Sequence, residues 1–422
     1  MRTSCALCDF LTKEETMSKS KLLTGVRSGG IALMVVAVLL GFHSLSPAAP
    51  AAPATIKLGC VLPQTGPVSI GGSWVRQGYD VAVKHINADG GVFVKEFNKK
   101  VPLEIVYQDN ESNPRKTAER MEKLYSVDKV NFFLGGFAQF LIVPQLAISE
   151  KYEVPFIGTT LGSTAEFSRG YKYTFTPFQS EQDQIHSFLG VLDSIPKDKR
   201  PQKIAFFQIQ EEWGEASGKY LQDFSKDKGY QIVTNEKYAL TSNDFSSLIA
   251  KAKSDGAEAL YTNPTQPQGI RLIKQMKELN WNPKVVCIMR AADMESWAEN
   301  LGKDGDYILH QGGWDYHLKL PGVQKFNEDY RAAYKLNPTP PAGSAYACIQ
   351  VLADAIQRAG TLDPKQVRDA IASTNMTTVM GPMTFASTGR GQGKYLRLMA
   401  QWQKGKDELV WPSDQASAPL IF

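Results

Sequence analysis

Most signs of catalysis or nucleic-acid binding are missing from these 422 residues. There is no G-x-S-x-G nucleophile elbow, no phosphate-binding P-loop, no H-E-x-x-H and no complete G-x-G-x-x-G after the first strand-like run. The commonest signatures of hydrolase, nucleotide, metalloprotease and dinucleotide chemistry are therefore absent. Histidine is sparse: beyond the first fifty residues only His85, His186, His310 and His317 remain. The last two are near each other, but nothing nearby supplies a third metal ligand. The net charge is only +4, and Lys and Arg are interleaved with Asp and Glu instead of forming a strip. A nucleic-acid partner is not expected. The sequence also lacks a low-complexity linker and an apolar run long enough to cross a hydrocarbon core, which takes about 20 helical residues. No enzymatic activity, no metal and no cofactor are expected.

What is present is the composition of a soluble globular protein, 43% hydrophobic and 21% charged, in a chain too long for one ordinary domain. Near the amino terminus Lys19, Lys21 and Arg27 precede an uncharged apolar run from Ile31 to Phe42 and the small-residue segment Ser46 to Ala54. That order reads as a cleaved secretory signal peptide, with cleavage after Ala51 or Ala54 and translation starting at Met17. Residues 1–54 are thus an upstream extension plus signal, and the mature protein is expected in the periplasm. Cys5 and Cys8 fall in the extension, without the second pair that a zinc site needs. Leu58-Gly59-Cys60 superficially resembles the end of a lipoprotein signal, but Lys57 stands where an aliphatic residue is required. The three remaining cysteines, Cys60, Cys287 and Cys348, each sit in an apolar segment and read as buried free thiols.

From Thr55 onward, short β-branched runs alternate with longer amphipathic stretches, the pattern of an α/β protein with parallel-type sheets. Strands are predicted at Ile56–Leu62, Leu103–Tyr107, Val130–Leu134 and Pro155–Ile157, with helices at Trp74–Ala88, Asn113–Tyr125 and Val143–Lys151. Asn113 and Pro114 supply the cap and first-turn proline of the second helix. The grammar then restarts, with helices at Glu181–Leu192, Glu215–Lys228, Phe245–Lys253 and Gly269–Leu279 and strands at Ile204–Phe207, Gln231–Tyr238, Ala259–Tyr261 and Lys284–Ile288. Helices Val323–Leu336, Gly343–Ala359 and Pro364–Ser373 follow, and then strands around Tyr395–Trp402 and Glu408–Trp411. Two lobes with no tether between them suggest a chain that crosses from one to the other more than once.

The motifs along this pattern occur in a telling order. Pro63-Gln64-Thr65-Gly66-Pro67 comes first, then a glycine loop and a long helix ending in Ile86-Asn87-Ala88-Asp89-Gly90-Gly91. Tyr107-Gln108-Asp109-Asn110, Leu134-Gly135-Gly136, Val154-Pro155-Phe156-Ile157 and Arg169-Gly170-Tyr171 follow. Trp213-Gly214, Asp244-Phe245-Ser246 and Gly381-Pro382 complete the set. In this order the sequence resembles the type I periplasmic binding proteins of the leucine/isoleucine/valine-binding family, over essentially the whole mature chain.

The resemblance implies two Rossmann-like lobes joined by a three-crossover hinge, lobe I comprising 55–176 and 315–378 and lobe II 177–314 and 379–422. The crossovers are expected near Thr176–Phe178, Gln311–Trp314 and Val379–Met383. It also implies the solute-binding component of an ABC importer of the branched-chain amino acid/amide class: a monomer that closes on an organic acid, amide or amino acid and docks on inner-membrane permease subunits. The ligand-binding part of a periplasmic sensory system is the alternative. Carried over by position, the cleft loops are 71–74, 136–140, 159–163, 212–213, 263–266 and 289–291. They nominate Trp74, Phe137, Gln139, Thr160, Leu161, Ser163, Trp213, Thr265 and Arg290 as ligand-binding residues. Gln139 stands where the amino-acid binders have serine, Gly162 where they have threonine, and Met289 or Arg290 where they have an acid that meets an α-ammonium. These departures turn the expectation toward an organic acid, aromatic acids included, or an amide. Arg290 offers a forked donor suited to a carboxylate; the competing reading is a surface arginine paired with Asp293 or Glu295.

Overall fold

A computed structural model describes residues 51–162, 166–294, 296–310, 313–385 and 396–422. The signal-peptide assignment, Ser163, Glu295, Gln311 and Tyr395 lie outside the described residues. The chain enters on β1 (Ile56–Leu62), an almost wholly buried strand, as befits the interior of a parallel sheet covered on both faces. Helix α1 (Ser69–Ala88) begins five residues before the position read from the sequence. The glycines there are required by contact: a Cβ on Gly72 would lie 2.1 Å from the Pro63 carbonyl oxygen. An unanticipated hairpin of β2 (Val92–Val94) and β3 (Lys99–Val101) precedes β4 (Leu103–Asp109). Helix α2 (Pro114–Ser126) is capped by the Asn113 side chain, which accepts from the Arg115 and Lys116 N–H groups. Then come β5 (Phe132–Leu134), α3 (Gln139–Tyr152), β6 (Phe156–Ile157) and β7 (Thr174–Phe175). These strands form a parallel sheet in the order β4-β1-β5-β6-β7.

A capping box between Ser180 and Asp183 opens α4 (Glu181–Ser194). It is followed by β8 (Lys203–Ile209), α5 (Glu212–Lys228), β9 (Gln231–Tyr238), α6 (Ser246–Ser254), β10 (Ala259–Thr262), α7 (Gln266–Glu278) and β11 (Val285–Ile288). A short α8 (Ser296–Leu301) and β12 (Ile308–His310), both unread in the sequence, complete this run. The chain then returns to the first sheet with α9 (Val323–Tyr334), α10 (Pro340–Ala359) and α11 (Pro364–Ala372). After the hairpin of β13 (Asn375–Thr378) and β14 (Gly381–Thr384), β15 (Met399–Gln403) and β16 (Lys406–Trp411) join the second sheet. Its order is β16-β15-β12-β11-β10-β8-β9. The expected parallel run holds from β9 through β8, β10 and β11 to β12, and the antiparallel pairing of β15 with β12 and of β16 with β15 adds two strands at its edge.

Helix α10 is the keystone of the first core. It lies against α1, and Ile349, Leu352 and Ile356 pack in one cluster with Leu58, Leu62, Val75 and Tyr79. Each such side chain contributes roughly 1.5–3 kcal/mol on full burial. Val379, Met380 and Met383 belong to the same cluster. The second sheet is covered by two separate clusters, one on each face. Cys60, Cys287 and Cys348 are buried free thiols. Burial pushes all three above the ordinary thiol range.

Candidate functional site

The loops at the carboxyl ends of the strands from both sheets meet around one cavity. In the first loop, Asp109 accepts N–H bonds from Gln64 (2.9 Å), Thr65 (3.3 Å) and Glu111 (2.8 Å) and the Thr65 hydroxyl (2.8 Å). Partial burial works against its charge, but these donors outweigh it and hold the carboxyl below its usual range. The Pro63–Pro67 motif is thereby fixed, and with it the start of α1, whose second turn carries Trp74 to the cavity. Trp74 meets Phe137 edge to face, with ring centroids 6.2 Å apart.

The cavity measures about 110 Å³ and is walled by Trp74, Phe137, Phe178 and Trp213, with Gln139, Thr160, Thr265 and Arg290 among its polar residues. Three loop residues here, Ala138, Thr160 and Arg290, take left-handed backbone conformations with φ of 66°, 55° and 64°. Non-glycine residues held there cost about 1–3 kcal/mol each and concentrate where function demands the geometry. The Thr160 hydroxyl donates to the Gly136 carbonyl (3.3 Å), Trp213 Nε1 donates to the Asn263 carbonyl (3.3 Å), and the Thr265 hydroxyl donates to Gln268 (2.9 Å). Those groups are already engaged.

Arg290 is different. Its guanidinium lies over the Phe178 ring, 5.3 Å from the centroid, and Nη2 is 3.7 Å from Glu181 Oε1, beyond hydrogen-bond distance. Nε and Nη2 are buried, with no hydrogen-bond partner. Buried donors left unmatched cost about 1–3 kcal/mol, more when charged, so an acceptor brought into the cavity gains correspondingly. The pairing with Asp293 suggested by sequence proximity is not made: Asp293 is 3.0 Å from His310 Nδ1.

The structure therefore brings Trp74, Phe137, Gln139, Thr160, Trp213, Thr265 and Arg290 to one cavity. Leu161 is corrected: it is fully buried in the cluster of Phe133, Phe156 and Leu146 and is not part of the wall. Phe178, Glu181 and Asp293 were missed. Phe178 sits in a segment read only as a crossover; it follows β7 at the carboxyl end of the first sheet, beside the loops that wall the cavity. Gly162 shows why no larger side chain stands there, since a Cβ would lie 2.3 Å from Glu181 Oε1. Trp74 and Asp293 also line a second, adjoining cavity of about 570 Å³. Among the described residues no group of three His, Cys, Asp or Glu side chains is arranged to hold a metal ion, and no helix is long and apolar enough to cross a membrane.

The family model described as "Periplasmic binding protein" matches residues 55–407. The Leu/Ile/Val-binding protein homolog 7 of Brucella suis biovar 1 is 27% identical over 413 residues, covering 92% of this chain and 98% of the relative. A leucine-binding protein from Thermotoga maritima superposes with a TM-score of 0.75 at 20% identity, over 84% of this chain and 97% of the other. An ABC-transporter solute-binding protein from R. palustris in complex with benzoate gives 0.74 at 17% identity, over 87% and 97%.

Proposed function

The chain belongs to the periplasmic binding protein family, and from that premise we propose that it is the extracytoplasmic solute-binding component of an ABC importer, selecting a small carboxylate whose acid-bearing end fills a space of about one ring. The observation that carries this reading is the guanidinium of Arg290, its buried Nε and Nη2 unmatched, in an aromatic-walled cavity of about 110 Å³. A cavity of similar scale, about 150 Å³, holds benzene. The carboxylate would take the free N–H groups of Arg290 while the apolar body packs between Trp74, Phe137 and Trp213. The absence of the three α-amino-acid anchors at 139, 162 and 289–290 supports an acid over a leucine-like solute. Lobes 55–176 with 315–378 and 177–314 with 379–422 would close on the solute about hinges near 176–178, 311–314 and 379–383. The closed form would dock as a monomer on permease subunits, in the periplasm, after signal-peptide removal and without any catalytic step.

The test is a thermal-shift screen of purified protein against aromatic and aliphatic carboxylates, amides and branched-chain amino acids, since a ligand of the native state raises Tm. Carboxylates shift the wild type and lose their effect in Arg290→Ala. A shift by leucine without one by any carboxylate overturns the reading.

A further inference from the structure

The larger cavity beside the Arg290 pocket has the opposite electrical character. Five carboxylates line it, from Asp293, Glu299, Asp315, Asp407 and Glu408, against Lys406, His310 and His317. It stays negative even with both imidazoles protonated. His310 bridges Asp293 and Asp407 at 3.0 Å each. Burial alone would discharge this imidazole, but the Asp407 charge and the hydrogen bonds to both carboxylates prevail and push it up to about 10. It acts as a fixed counter-ion to that pair; Asp315 is paired in the same way with His317 Nδ1 at 2.8 Å, which leaves the carboxylates of Glu299 and Glu408, the latter accepting from the Ser417 hydroxyl, around the remaining space.

Two further observations point to what the space receives. Trp74, Trp314, Tyr316, Tyr330 and Trp402 also line it, and aromatic faces beside carboxylates are the surroundings in which ammonium groups are held. At its edge lies the start of α10, a place that would ordinarily attract an anion. Pro340 and Pro341 remove two of the N–H groups that would do so. Thr339, only 6% exposed, lines the cavity as the residue before that helix; its hydroxyl makes no capping bond and has no hydrogen-bond partner. The chamber is thus built against anions and holds an unspent polar group.

We infer that this second chamber takes a cationic group at the far end of the solute whose carboxylate Arg290 holds, so that the molecule is a carboxylate carrying an amine or quaternary ammonium well removed from the α-carbon. The inference rests on the carboxylate reading of Arg290. Trp74, common to both walls, would pack against the link between the two charged ends. An α-amino acid would not profit, because Asp293, the carboxylate that lines both chambers, is already committed to His310.

Calorimetric titration of the protein with ω-amino carboxylates and ω-trimethylammonio carboxylates of increasing chain length, each against the straight-chain carboxylate of equal length, tests this. Once the chain spans both chambers, the cationic member binds about tenfold tighter or more than its methyl-ended partner. The ratio falls toward one in Glu299→Gln/Glu408→Gln, a variant confined to the two carboxylates of the chamber that no histidine pairs. Binding of both series with no cationic advantage at any length overturns the inference and leaves the Arg290 reading standing. If neither series binds, both fall.

Discussion

Replacing Arg290 by methionine removes a charge from two partners at once, and the structure separates the consequences. Methionine keeps an unbranched stem to pack near Phe178 but offers no donor. Truncating one member of a buried, hydrogen-bonded charge pair costs about 2–5 kcal/mol or more in binding. Because the Arg290 side chain is 21% exposed, the low end applies, about 2–3 kcal/mol, or a roughly 30- to 150-fold loss of carboxylate affinity. Folding suffers separately, since Glu181 is almost wholly buried and loses its nearby arginine. Breaking a fully buried pair costs about 3–5 kcal/mol. A separation of 3.7 Å and partial solvent screening reduce this to roughly 1–3 kcal/mol, a fall of about 1–4 °C in Tm for a chain of this size. In the double variant Glu181→Gln/Arg290→Met the buried charge is gone, so Tm recovers while affinity does not. Calorimetric binding and thermal melts on the three proteins read the two effects apart. A single variant that binds carboxylates as tightly as wild type would refute the reasoning; recovery of affinity in the double variant would show that Arg290 acts only through Glu181.

Two other outcomes follow from the same geometry. Gly162→Thr restores the residue of the amino-acid binders but drives its Cβ to within 2.3 Å of Glu181 Oε1; lower Tm and weaker carboxylate binding without any gain of leucine binding are expected, and a clear leucine-induced shift would contradict this. His310 has its folded-state pKa raised from 6.5 to about 10, so its stabilising contribution is full below about pH 6.5, declines above that and is gone past about pH 10. The Tm gap between wild type and His310→Gln should therefore narrow from pH 6.5 to pH 10, and a gap that stays constant would mean the imidazole carries no charge in the folded protein.

Most of the repeating strand and helix pattern was legible because periodicity reports burial, and the burial of β1 or α10 is nearly complete. The errors have local causes. Gly71 and Gly72 read as a loop before α1, yet they lie within its first turn because Pro63 and Phe137 leave no room for side chains. Helix α10 was read from Gly343 but starts three residues earlier, at Pro340, because proline suits the opening turn of a helix. Within the site, Arg290 was recognisable from its chemistry and loop position. Its relation to Glu181 was not, because that contact joins residues far apart in the chain, whereas Asp293 was only close in number. Leu161 fell in the right loop with its side chain in the core, a distinction of direction that sequence does not carry in an irregular segment.

The chain's repeated passage between its two sheets also bears on the order in which it can become structured. Strands β1, β4 and β5 emerge first, but the apolar face that α10 covers stays open until residues 340–359 have been delivered, long after the whole β8–β12 run. A chain that emerges amino terminus first therefore cannot finish its leading sheet until α10 has followed. Contacts this distant in sequence make folding slow: the first sheet cannot close its core with the residues around it and must wait for a segment that follows the second.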